Sequence, residues 1–72
     1  MPNPTELGRL LSAARRQAGY ATLYAAEKAT GISASQIGEW ERGNVSPTVG
    51  SLDRLMTAYG WEVNVLFQPV AQ

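Results

Sequence analysis

The chain has 72 residues and a net formal charge of zero, with 44% hydrophobic residues. That is one domain with one small core, and a core of this size gives marginal stability. Cysteine and histidine are both absent, which excludes disulfide support, thiol chemistry and an ordinary zinc site.

No apolar run reaches the roughly 18 residues of a spanning helix. Met1 to Thr5 carry neither a basic leader nor an apolar signal core. These features predict a soluble, cytoplasmic protein that needs no cofactor. A partner subunit is the remaining source of extra stability.

Taken in chain order, Thr5 is placed to cap a first helix over about residues 6–18, with Glu6 favourable to its dipole. Leu7, Leu10, Leu11, Ala14 and Ala18 recur at helical spacing. Gly19 stops the helix. Thr22 caps a short second helix over residues 23–30, and Gly31 ends it. Ser33 caps a third helix over residues 34–41, with Ile37 and Trp40 inward, before Gly43 and Asn44. Pro47 and Thr48 announce a fourth helix whose apolar stripe is Val49, Leu52, Leu55, Met56 and Tyr59; Gly60 stops it.

After Gly60 the period changes. Val63, Val65 and Phe67 alternate with Glu62, Asn64 and Gln68, broken only by Leu66. This reads as a strand over residues 62–68, closed by Pro69. No other segment reads as a strand. The strand therefore predicts pairing with a second copy, with Val63, Val65 and Phe67 at a homodimer interface. The expected organisation is a helical domain over residues 1–60 and a dimerising tail over residues 61–72.

Residues 22–43 form a unit: short helix, turn through Gly31, Ile32 and Ser33, short helix. Such a unit exposes the first residues of its second helix. The major groove of a DNA duplex admits one helix presented in that way. The segment from Gly31-Ile32-Ser33 through Glu41-Arg42-Gly43 resembles the turn and recognition helix of the XRE/Cro-type phage-repressor family. The resemblance extends upstream through Leu11 to Tyr20 and downstream through Ser46-Pro47-Thr48-Val49 to Met56. Gly38, where the family has Ser, and the bulky Trp40 depart from the pattern. The family's Leu-Ala pair before the turn glycine would fall on Ala26 and Glu27. With one extra residue in the second helix, Ala25 and Ala26 fill it.

The resemblance implies a mainly α fold: a four-to-five-helix, lambda-repressor-like helix-turn-helix domain, here followed by the C-terminal β-strand. It implies a sequence-specific regulator that binds double-stranded DNA as a homodimer on an inverted repeat. By family position, Ala34, Ser35, Gln36 and Glu39 face bases, while Thr22, Arg42, Asn44 and Thr48 face the DNA backbone. Arg15 and Glu41 align with a structural salt bridge between the first and third helices. The run from Leu55 to Phe67 also resembles the end of Hip-type antitoxins. A toxin protein is therefore the alternative partner, and an antitoxin that controls its own operon the alternative function.

Beside these roles, Ile32, Ile37 and Trp40 read as core. Arg9, Arg16, Lys28 and Arg54 read as ordinary surface charges. Thr22 serves as a helix cap whatever else it does. Ser33 and Ser35 have no base to activate them, and the six carboxylates show no paired spacing, so an enzyme is not expected. A zero net charge fits DNA binding only if the charge is unevenly distributed or two subunits share the task.

Overall fold

The computed structural model describes residues 3–61, which form four helices: α1 (Pro4–Gln17), α2 (Leu23–Thr30), α3 (Ala34–Glu41) and α4 (Val49–Ala58). The expected strand over residues 62–68, with Val63, Val65 and Phe67, lies outside the described residues.

The first helix starts two residues earlier than the sequence suggests, because Asn3, not Thr5, is its cap. Asn3 Oδ1 accepts from the Glu6 amide at 2.8 Å, and Glu6 Oε1 accepts from the Asn3 amide at 3.2 Å. This reciprocal box satisfies two amide donors that would otherwise lack partners. Pro4 takes the first helical position, where a missing N–H costs nothing.

Its buried face also differs from the expected stripe. Leu11 and Ala14 are buried, as are Gly8 and Arg15, whereas Leu10 is 44% exposed. Leu10 lies one residue, hence about 100°, around the helix from Leu11. The inward face turns toward Gly8 and Arg15 because α1 packs on α3.

Gly8 is needed for that packing. A Cβ there would fall inside the contact distance of the Glu41 carbonyl oxygen and 2.8 Å from that of Trp40. The obstruction is backbone, which cannot rotate away.

Thr22 Oγ1 accepts from the Ala25 amide at 3.0 Å and opens α2. The helix runs without interruption to Gly31, which ends it at φ +78°. That left-handed conformation is cheap only for glycine. Of the Ala25-Ala26 pair, Ala26 is fully buried and Ala25 only half-buried. Thr30 is buried as well, and its hydroxyl donates to the Ala26 carbonyl at 2.8 Å while accepting from the Ile32 amide at 3.0 Å. The turn is thus held by backbone and side-chain bonds together.

Helix α4 opens at Thr48, whose Oγ1 accepts from the Ser51 amide at 3.1 Å. Leu55, Met56 and Tyr59 are buried, but Val49, at the head of the predicted stripe, is 57% exposed.

One core unites the helices: Leu11 and Ala14 from α1, Ala26 from α2, Ile37 and Trp40 from α3, and Leu55, Met56 and Tyr59 from the end of α4. Leu11, Ile37 and Leu55 are completely buried. Each contributes about 1.5–3 kcal/mol of transfer free energy. Ile32, expected in the core, is only half-buried and packs against its edge.

Candidate nucleic-acid interface

The interface is built on α3. Ser33 Oγ accepts from the Gln36 amide at 3.1 Å, which fixes the start of the helix. Ile37, Gly38 and Trp40 face inward. Anchoring that side leaves the first turn presented outward: Ser35 and Gln36 are exposed, and Ala34 and Glu39 are half-buried. Gln36 offers both donors and an acceptor at its tip, the set that pairs with adenine. Ser35 can donate or accept.

A second contact at the start of α3 was not legible from the family pattern. Glu27 Oε1, on α2, accepts from the Ala34 amide at 2.8 Å. This carboxylate supplies the charge that the positive end of α3 favours and ties the two helices across the turn. Glu27 follows the Ala25-Ala26 pair that fills the family's Leu-Ala place, so nothing in the aligned pattern points to it.

At the other end of α3, Glu39 pairs with Arg42. Hydrogen bonding by Arg42 holds the Glu39 carboxyl below the usual range against the opposing effect of desolvation, with the Arg42 charge and then an Asn44 hydrogen bond adding to it. The Asn44 amide also donates to the Glu39 carbonyl at 3.1 Å. Glu39, Arg42 and Asn44 therefore form one cluster. Thr22 and Thr48 stand apart from it as the caps of α2 and α4, and both are exposed.

Behind this surface lies a buried ion pair. Arg15 Nε donates to Glu41 Oε2 at 2.8 Å and Arg15 Nη2 to Glu41 Oε1 at 3.1 Å. Arg15 Nη1 donates to the Tyr20 carbonyl at 2.8 Å. The two side chains are 7% and 10% exposed. The forked pairing holds the guanidinium charge more firmly than in a free arginine, because the Glu41 hydrogen bond outweighs burial. It locks α3 to α1, so the orientation of α3 is fixed by the body of the domain.

A helix-turn-helix domain family matches residues 6–65. The chain belongs to the helix-turn-helix domain family. Within it, the chain is of the XRE-like class. No curated protein and no solved structure matches it. The matched residues include α2, α3 and the turn between them. Among the described residues no helix is long and apolar enough to cross a membrane.

The acidic and basic side chains are engaged differently within the fold. Glu39 and Glu41 are each paired with an arginine, and Glu6 and Glu27 accept from helix amides. Arg9, Arg16, Lys28 and Arg54 form no ion pair among the described residues.

Proposed function

We propose that this protein is a sequence-specific transcriptional regulator that binds an inverted-repeat operator in double-stranded DNA as a homodimer in the cytoplasm. The observation that carries the reading is the outward first turn of α3. Its polar tips, Ser35 and Gln36, are exposed, while Ile37 and Trp40 anchor the opposite side. Ala34, Ser35, Gln36 and Glu39 read base edges. Gln36 suits adenine, the Ala34 methyl suits thymine, and Glu39 accepts from cytosine N4. A carboxylate has acceptor capacity for both Arg42 and a base, so the Glu39 pairing is compatible with this role.

Thr22, Arg42, Asn44 and Thr48 hold the sugar–phosphate backbone and set the register. Residues 1–60 carry these contacts. Residues 61–72 supply the second function, pairing two copies through Val63, Val65 and Phe67 so that two recognition helices meet one face of the duplex.

The experiment is a pair of substitutions read on duplexes that differ at single positions. Gln36→Ala removes a base-edge interaction of about 1–3 kcal/mol and relaxes the preference at one position per half-site. Arg42→Ala weakens binding to all sequences alike. Unchanged affinity and selectivity in Gln36→Ala would remove α3 from the role given to it. Sedimentation of the full-length protein at micromolar concentration tests the dimer, and a clean monomer there contradicts it.

A further inference from the structure

A cleft of 410 Å³ runs between the outer side of α1 and the last turn of α3. Arg9, Ser12 and Arg16 line one wall, and Gly38 and Arg42 line the other. Arg9, Ser12 and Arg16 follow at i, i+3 and i+7, so they form one stripe along α1. The Arg15–Glu41 pair closes the cleft at its base. Four guanidinium groups thus face the space against a single carboxylate, and that carboxylate is already held by Arg15.

Two of the four are spoken for: Arg15 by Glu41, and Arg42 by Glu39. Arg9 and Arg16 are exposed and form no ion pair among the described residues. They lie seven residues apart, about 10 Å along the helix. Two long side chains at that separation can reach one anion between them. The opposite wall is kept low by Gly38. A Cβ there would stand 3.0 Å from Arg42 Nη1 and 3.1 Å from Leu23 Cδ1. The bare glycine therefore lets Arg42 and Leu23 lie close against α3, where a side chain would push them away.

We propose that Arg9 and Arg16 grip a phosphate of the DNA backbone in this cleft, beyond the contacts made by α2 and α3. The inference rests on the DNA-binding reading above. The position of the cleft favours DNA over a free anion. Its lining includes Arg42, a proposed backbone contact, and Leu23, which directly follows Thr22, another, so the cleft borders the proposed DNA-facing surface. A guanidinium also matches phosphate oxygens by its forked donors. Helix α1 thereby becomes part of the binding surface, and α1 supplies free positive charge to a domain whose net charge is zero.

The test uses full-length protein and a duplex carrying the site selected by the wild type. Affinity is followed by fluorescence anisotropy across a salt series for wild type, Arg9→Gln/Arg16→Gln and Arg9→Lys/Arg16→Lys. Loss of one phosphate contact per subunit makes the log–log slope shallower by about 0.9, hence by about 2 for a dimer. The same sequence remains preferred, and the lysine variant restores most of the slope. Melting curves show that the variants stay folded.

A glutamine variant with the wild-type slope overturns the proposal while leaving the DNA-binding reading in place. A changed sequence preference also overturns it, since a backbone contact carries no base information. Wild-type protein that binds no duplex overturns both. Arginine side-chain resonances that respond to inorganic phosphate, together with an unchanged slope on DNA, assign the cleft to a free anion instead.

Discussion

Replacing Arg15 with alanine tests how the recognition helix is held. The substitution removes both donors to Glu41 and the donor to the Tyr20 carbonyl. Glu41 is then left as a carboxylate whose side chain is only 10% exposed. Stranding one partner of a buried pair costs about 3–5 kcal/mol, more than the pair itself is worth. At about 0.05–0.15 kcal/mol per residue, a chain of this length has a total stability of roughly 4–11 kcal/mol. The loss is therefore a large share of the whole. With about 4–8 °C of melting temperature per kcal/mol in a domain this small, Arg15→Ala should melt at least about 12 °C below wild type. Thermal denaturation followed by circular dichroism reads this directly. The double variant Arg15→Met/Glu41→Leu should recover more than half of the loss, because two apolar side chains leave no buried charge behind. The operator chosen by any variant that remains folded should be the wild-type one. An Arg15→Ala protein melting within about 2 °C of wild type, or a double variant less stable than the single, would refute the reasoning.

Gly8→Ala places a methyl group against the Trp40 and Glu41 carbonyls, so it should destabilise by at least about 1–3 kcal/mol, the range for overpacking, as measured by urea denaturation. Tyr59→Phe removes a buried hydroxyl that has no hydrogen-bond partner among the described residues, and its stability at neutral pH should be equal or higher. Burial, reinforced by the nearby Glu41 charge, pushes the Tyr59 hydroxyl up to about 12. The unfolded chain releases that proton near pH 10, so the associated stability is intact below about pH 10 and is lost as pH rises toward about 12; melting temperatures between pH 9 and 11.5 should fall more steeply for wild type than for Tyr59→Phe. Truncation after Gly60 should leave the helical signal in circular dichroism while abolishing dimer sedimentation and operator binding; a truncated chain that still dimerises moves the interface off residues 62–68.

Much of the fold was legible because its punctuation is local. Thr22, Ser33 and Thr48 each cap the helix that the sequence predicts, and Gly31 ends α2. A cap needs only its own neighbours in the chain. The first helix shows the limit of that reading: Asn3 and Glu6 form a capping box in plain sight, yet Thr5 looks equally suitable until the reciprocal bonds are seen. Which side of a helix turns inward is a tertiary matter. Leu10 and Val49 belong to good helical stripes and are nevertheless exposed. Gly8 gives no local signal either, since its importance lies in the backbone of α3.

The candidate site divides in the same way. Ser35 and Gln36 could be placed from the motif because the motif is contiguous, and Arg15 and Glu41 because the family pairs them. Glu27 at the head of α3 and the Glu39–Arg42–Asn44 cluster depend on which groups the folded chain brings together, and the sequence offers only the residue types. Arg9 and Arg16 look like ordinary surface arginines until α1 is set against α3 and the cleft appears between them.

The most direct test of DNA reading by α3 is selection of bound sites from a pool of random duplexes by the full-length protein. A dimeric reader of this geometry should enrich an inverted repeat with half-sites about 10 base pairs apart, centre to centre. Enrichment of no sequence over the starting pool would contradict the account.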